Sequence, residues 1–377
     1  MNVLILHNRY REPGGEERSV REIARLLRSR GHAVHVLERT SAKAGRSRAG
    51  LALMAGGHDP AAVERAVREH RADVVHAHNI HPLFGARALA AARRTGARVV
   101  MHLHNYRLVC AIAIDYRDGA VCTRCHGRDT LPGVRLRCRG NLPEAVAYGA
   151  GLARQQKRIV RAVDCFIAPS AFTARRIADQ ARVAGRVAVI HNFVGSEEFA
   201  EAPPAGRGGH ALFAGRLVEE KGADTAILAA ARAGVPLAVA GTGPDAPRLE
   251  QLAREHDAPV TFLGRIPPEQ MGALRAHAAF LVVPSRWDEP CPYTVIEALA
   301  GGLPVLASQR GGLPELVGEE DVLPDRDVEQ WAAAMRMLWD DDAERSRRAD
   351  RALARARDLF GEERFYSALM DVYEGGR

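Results

Sequence analysis

One rhythm, struck twice, constrains this chain more than anything else. Short β-rich runs alternate with amphipathic stretches, and a Pro/Gly-rich segment separates the two series. The first series opens on the strand run Val3-Leu4-Ile5-Leu6. A helix is predicted over 17–29, with Val20, Ile23, Ala24 and Leu27 at helical spacing and Gly31 as its stop. Further strands are predicted at 33–37, 73–76, 98–102, 165–168 and 187–190, with helices at 60–70, 83–94 and 143–162 between them. The segment Ala202-Pro203-Pro204-Ala205-Gly206-Arg207-Gly208-Gly209 reads as a linker. The rhythm then restarts with strands at 211–214, 237–240, 260–263, 280–283 and 305–306, and from about Asp327 the chain is nearly all helix. Such alternation predicts parallel sheets wrapped by helices, in two α/β domains. A ligand cleft is expected between them, at the carboxyl ends of the strands. Residues 106–140 break the rhythm.

Two domains suit a chain of 377 residues. With 47% hydrophobic and 26% charged residues it is neither disordered nor fibrous. No apolar run approaches the length of a membrane span. The first residues read as a strand rather than a signal peptide, so the expected compartment is the cytoplasm. Residues 1–200 hold 33 Lys and Arg against 17 Asp and Glu, whereas residues 201–377 hold 20 against 29. A basic half beside an acidic one predicts different tasks, the basic half meeting phosphates, an anionic membrane surface or nucleic acid. Lysine occurs only at Lys43, Lys157 and Lys221.

The chemistry concentrates in the second half. Gly215-Arg216-Leu217-Val218-Glu219-Glu220-Lys221-Gly222 follows a strand and opens a helix near Gly222. Cations beside a helix N-terminus suit a phosphate or diphosphate, although the same loop is compatible with solvated surface charge. After a later strand, Glu289 and Glu297 stand eight positions apart. Pro290 and Pro292 keep Glu289 in a loop, and a helix starting near Tyr293 carries Glu297 in or just past its first turn. Carboxylates are bidentate acceptors for neighbouring hydroxyls, which suits a sugar and a ribose. An acidic residue near a helix start is also merely favourable in its own right.

At these residues the chain resembles the retaining, nucleotide-sugar-dependent glycosyltransferases of family 4, whose hallmark is Glu, seven residues, Glu. Other resemblances run nearly end to end: Pro13-Gly14-Gly15-Glu16-Glu17, Val75-His76-Ala77-His78-Asn79, His102-Leu103-His104-Asn105-Tyr106-Arg107 and Gly311-Gly312-Leu313-Pro314-Glu315. The resemblance implies a GT-B fold, with two Rossmann-like domains whose parallel sheets face across a cleft. It implies an acceptor-binding domain at 1–200, a donor-binding domain at 201–358 and a C-terminal helix at 359–377 packing back on the first. By the same resemblance Arg216 and Lys221 hold the donor diphosphate, Glu297 the donor ribose, and Glu289 hydroxyls of the transferred sugar. Backbone N–H groups of Cys291, Tyr293 and Thr294 assist. Gly15 approaches the phosphates, His104 touches the sugar near the reaction centre, and the base lies against Arg265 and Ile266. Pro292 departs from the glycine many members carry, and proline has no N–H to donate. The implied reaction is metal-independent and retains the anomeric configuration. It needs no enzymic nucleophile, because the acceptor attacks from the face the phosphate leaves, and the departing phosphate takes the acceptor proton. UDP is the commonest donor nucleotide in such families, and the acceptor is a glycan, a lipid-linked glycan or a small molecule.

Cys110, Cys122, Cys125 and Cys138 lie within 29 residues, with one x2 pair. Four thiolates suit a tetrahedral structural zinc, and unligated or redox thiols are the alternative reading. The segment resembles a Cys-bearing loop found in a subset of these transferases. Gly241-Thr242-Gly243-Pro244 imitates a dinucleotide fingerprint, but no acidic residue ends the next strand. His76, His78, His102 and His104 alternate at strand ends; two such pairs suit a metal, but His76, His78 and His102 are expected to be polar strand termini, and Trp287, Trp331 and Trp339 packing residues. Two other functions compete. A glycoside hydrolase with Glu289 and Glu297 as acid and base leaves the basic loop without purpose. A zinc-stabilised nucleic-acid-binding protein draws on the basic half, but 5% aromatic residues make poor stacking platforms, so no nucleic acid is expected. The basic half also suits docking on an anionic membrane surface.

Overall fold

A computed structural model describes residues 1–9, 14–40, 45–203 and 208–376. Pro13 of the glycine-rich turn, Lys43 and linker residues 204–207 lie outside the described residues. The chain divides into two compact units, one of residues 1–117, 122–191 and 365–377, the other of residues 118–121 and 192–364.

The first unit holds strands β1 (Asn2–Arg9), β2 (Ala33–Thr40), β3 (Val74–Ala77), β4 (Arg98–His102), β5 (Cys165–Ala168) and β6 (Val187–Val189). They form one parallel sheet in the order β2-β1-β3-β4-β5-β6. The predicted helix is Gly15–Ser29, and it buries Val20, Ile23, Ala24 and Leu27. Its start is closed by Glu17, whose carboxylate accepts from the Gly14 N–H at 2.8 Å. The helix Leu142–Ala162 begins where Asn141 caps the Glu144 N–H and Pro143 fills the first turn. A helix at Arg46–Ala55 was not anticipated, and its sequence has almost no amphipathic periodicity to announce it. The last helix, Glu362–Glu374, buries Phe365, Leu369, Val372 and Tyr373. Arg98 donates to the Val372 carbonyl at 2.8 Å, and His32 bonds the Tyr366 hydroxyl at 2.8 Å.

The second unit holds β7 (His210–Ala214), β8 (Leu237–Ala240), β9 (Val260–Gly264), β10 (Ala278–Val283), β11 (Val305–Ser308) and β12 (Val322–Leu323). Their order is β9-β8-β7-β10-β11-β12, again parallel throughout. Strand alternation splits β7 between two apolar layers. Ala211 and Phe213 pack into a cluster with Trp331, and Leu212 packs into another with Val295 and Phe360. The unit starts at Asn192, earlier than the Pro/Gly-rich segment, because residues 192–200 are already bonded into it. Asn192 donates to the Cys291 carbonyl at 2.8 Å, Val194 to the Phe360 carbonyl at 3.1 Å and Ala200 to the Ala300 carbonyl at 2.9 Å.

In each sheet the chain reverses its direction of progress once. The reversal lies between β1 and β3 in the first sheet and between β7 and β10 in the second. The loops leaving those strands diverge to opposite faces, so a crevice opens at their carboxyl ends. The fingerprint-like glycines serve this geometry by close backbone packing. A Cβ on Gly241 would fall 1.8 Å from the Gly215 carbonyl oxygen, and one on Gly243 would fall 2.1 Å from that of Leu217. The loop after β8 thereby seats the loop after β7, with Leu217 donating to the Thr242 carbonyl at 2.9 Å. Gly241→Ala is expected to destabilise the second unit by about 2 kcal/mol or more, since backbone cannot retreat as a side chain can. Gly209→Ala, which meets no atom within 4 Å, is expected to change stability by less than about 0.5 kcal/mol. Urea unfolding of both variants is the check.

Candidate functional site

At the reversal in the second sheet, Lys221 and Glu289 meet. Lys221 ends a single 3-10 turn, Glu219–Lys221, after β7, and Glu289 sits in the loop after β10. The Lys221 ammonium donates to Glu289 Oε1 at 2.5 Å, and the Ser285 hydroxyl donates to the same oxygen at 2.7 Å. Glu289 is 3% exposed. The indole of Trp287 lies under the cation, its ring centroid 5.2 Å from Nζ. Trp287 is thus a wall of this site as well as a packing residue. A cavity of about 30 Å³ adjoins the pair, lined by Phe213, Lys221, Ser285, Glu289, Pro292 and Thr294 among others.

Two helices start here, Ala223–Ala233 directly after Gly222 and Tyr293–Ala300 directly after Pro292. Both place the positive end of a helix dipole beside the pair. The loops are fixed by glycine. Gly222 has φ +68°, and a Cβ there would stand 2.0 Å from the Pro284 carbonyl oxygen. Gly311 has φ +59°, and a Cβ there would stand 2.4 Å from the Glu289 carbonyl oxygen. That same carbonyl accepts from Gly312 at 2.7 Å. The Gly311-Gly312 dipeptide therefore anchors the backbone of Glu289.

The other predicted residues fall into place unevenly. Glu297 is the fifth residue of its helix and is buried. Its Oε2 accepts from Arg275 at 2.6 Å, and the second arm of the same guanidinium reaches Glu198 at 2.8 Å. Neither Arg275 nor Ser285 is signalled by any local motif; only the requirement that a buried carboxylate be paired points to them. Arg216 is not drawn into the pair. It is 63% exposed and lies 3.7 Å from Glu220. Arg265 is exposed and Ile266 half-buried, just past β9. Cys291 is buried, and burial pushes its thiol up to about 12, so its side chain is inert, while its carbonyl accepts from Asn192.

In the first unit, Gly15 is exposed at the start of its helix. His104 lies just past β4 and bonds His78, Nε2 to Nδ1, at 2.8 Å. The histidines expected at strand termini lie there, and they are also buried. His76, His78 and His102 are 0%, 1% and 1% exposed. Each H-x-H pair places both imidazoles on one face, and β3 runs beside β4, so four rings gather. Burial holds His76 down to about 3 and drives His78, His102 and His104 well below their usual range. All four are neutral at physiological pH. Cys110, Cys122, Cys125 and Cys138 line one cavity of about 20 Å³ together with Asp115 and Gly133. Burial raises Cys110 to about 12 and Cys125 to about 11.

Residues 13–198 match the sequence profile of Glycosyltransferase Family 4, and residues 196–355 that of Glycosyl transferases group 1. A glycogen synthase of Mycobacterium tuberculosis is 31% identical over 199 residues, covering 50% of this chain and 48% of that protein. The chain thus spans about half the length of the curated relatives it matches. Among solved structures, a sucrose-phosphate synthase from Thermosynechococcus elongatus superposes with a TM-score of 0.73 at 19% identity, covering 99% and 98% of the two chains. The Anabaena protein HepE, in complex with UDP, gives 0.68 at 19% identity, covering 99% and 100%. The fold is that of the GT-B glycosyltransferases.

Breaking a buried ion pair leaves one charge uncompensated, at a cost of about 3–5 kcal/mol. Lys221→Met and Glu289→Gln are each expected to destabilise in that range. The double variant should cost less than their sum by more than about 1 kcal/mol. Additive losses in a double-mutant cycle would show that the pair is not coupled.

Proposed function

We propose a reaction for a chain that belongs, by both its halves, to the glycosyltransferases of GT-B type: transfer of a sugar from a nucleoside diphosphate donor to a hydroxyl, with retention of anomeric configuration. The observation that carries this reading is the Lys221–Glu289 pair at the strand reversal, between two helix N-termini. An ammonium has three N–H donors, and Glu289 accepts one. The others suit the oxygens of a diphosphate. As the bond from anomeric carbon to phosphate stretches, negative charge grows on the leaving group. Lys221, Arg216 and the helix N-termini stabilise it in place, without reorganisation and without a catalytic metal.

Glu289 acts as an acceptor for sugar hydroxyls rather than as a nucleophile, since Oε1 is already engaged by Lys221 and Ser285. Glu297, oriented by Arg275, takes the ribose hydroxyls. Backbone N–H groups of Cys291, Tyr293 and Thr294 meet the sugar and phosphates, and the base lies along Arg265 and Ile266. In the first unit Gly15 and His104 contribute a phosphate contact and a sugar contact. The departing phosphate takes the acceptor proton. UDP is the nucleotide we assign, as HepE is solved with UDP and with UDP-glucose. The acceptor is a glycan, lipid-linked glycan or small molecule. We also assign a structural zinc to Cys110, Cys122, Cys125 and Cys138, which line one cavity, although no three of their sulfurs stand within 4.8 Å of one another. A hydrolase reading is disfavoured because it gives Lys221 no anion to hold. None of the helices among the described residues is long and apolar enough to cross a membrane. The basic half still suits contact with an anionic membrane surface, and the cytoplasmic side is the location we assign to the reaction.

Thermal shift with UDP, GDP, ADP, TDP and their sugars tests the donor. One nucleotide family is expected to stabilise the protein, and Glu297→Ala to weaken that response. Lys221→Ala is expected to lower kcat by roughly 10²–10³ with a smaller change in KM, the signature of a lost transition-state contact. Transfer should proceed at the same rate with no added divalent cation. A flat response to every nucleotide by folded protein would overturn the reading.

A further inference from the structure

We propose that His76, His78 and His102 form a binding site for a first-row divalent cation of the zinc class, independent of the cysteine loop and of the transferase reading. One ring nitrogen from each lies within 4.8 Å of one from each of the others, and all three side chains are buried. A neutral imidazole carries one N–H and one lone pair, and burial ordinarily requires both to be met. Here four nitrogens are not: Nε2 of His76, Nε2 of His78 and both nitrogens of His102 are buried without a hydrogen-bond partner. Three adjacent buried rings, each with a ring nitrogen within reach of the others and each with a nitrogen left unmet, offer a metal ion its ligands.

The outer contacts fit the same role. Ligating histidines commonly bind through one nitrogen while a second group fixes the other. The Nδ1 of His76 bonds the Tyr373 hydroxyl at 2.8 Å, and the Nδ1 of His78 bonds Nε2 of His104 at 2.8 Å. In both rings Nε2 is left for the cation. His7 stands next, its ring centroid 6.5 Å from that of His78 and its Nε2 3.6 Å from a Glu17 oxygen, which supplies a compensating negative charge. Three imidazoles with no thiolate favour zinc, copper, nickel or iron over magnesium or calcium. Tetrahedral zinc–nitrogen bonds place ligand atoms about 3.3 Å apart, so the rings close by at most about 1.5 Å on binding. The bound ion would tie the ends of β3 and β4 together. It would also fix the His78 proton on Nδ1, so that His104 accepts through Nε2.

The test is titration of metal-free, reduced protein with Co²⁺, followed by optical absorption and by NMR of the shifted imidazole N–H protons. The expected result is one equivalent of Co²⁺ without a sulfur-to-metal charge-transfer band, and with shifted N–H signals from three imidazoles. A second equivalent carrying the sulfur band would report the cysteines and leave the proposal standing. His102→Gln should lose the nitrogen-only equivalent, with at least a tenfold weaker Kd, while Cys122→Ser/Cys125→Ser should keep it. The wild-type spectrum decides the matter even if His102→Gln fails to fold. Binding only with the sulfur band, or no binding below about 100 µM Co²⁺, would overturn the site and leave buried water as the partner of these nitrogens.

Discussion

A cation enclosed on most sides needs a carboxylate against it, and the second unit is arranged so that Lys221 has one. The two residues are far apart in sequence, and neither element alone positions the contact. β7 and β10 lie side by side because the strand order reverses there, and this brings the loop after each to the same place. Gly222 then lets the first loop press against Pro284, and Gly311 lets a third loop press against Glu289. A side chain at either position would push the cation and the carboxylate apart. The glycines are therefore part of the electrostatics, since they set the distance over which the charges act.

The first unit solves a different problem at its own reversal. It gathers neutral imidazoles where the second gathers charge. Burial makes the charged form of each ring costly, so the cluster persists as neutral rings stacked along the ends of β3 and β4. Tyr373, on the last helix, reaches into this group. The final residues of the chain are thus bound to the strands laid down near its beginning.

Much of this was legible in the sequence, because the signals that work best are periodic. The strand runs and the helix beginning at Tyr293 follow from spacing and from proline, and they place Glu297 one turn into its helix. The loop cations and the paired glutamates also stood out. What the sequence did not disclose were partners brought in from elsewhere: Arg275 for Glu297, Ser285 for Glu289, Trp287 for Lys221. Nothing local marks them, since they are selected by proximity in the fold. The burial of His76, His78 and His102 was missed for a related reason. An H-x-H pair on one strand looks polar, and only the neighbouring strand, with its own pair, turns the polar end into an enclosed cluster.

The two glutamates finally show why spacing alone is a poor description of a site. Eight residues separate Glu289 from Glu297, but the separation matters because it carries the chain from a loop into the second turn of a helix. Each carboxylate then meets its own cation. Lys221 comes from the loop after β7, and Arg275 from the end of the helix Pro268–Ala276. Lysine is a compact charge with donors to spare, whereas the arginine fork is held at both arms, by Glu297 and by Glu198. One carboxylate is thus bound to a cation that still has donors for an anion, the other to a cation committed to holding it still. That difference is what the proposed roles rest on, Glu289 at the reacting end of a donor and Glu297 at its anchored end.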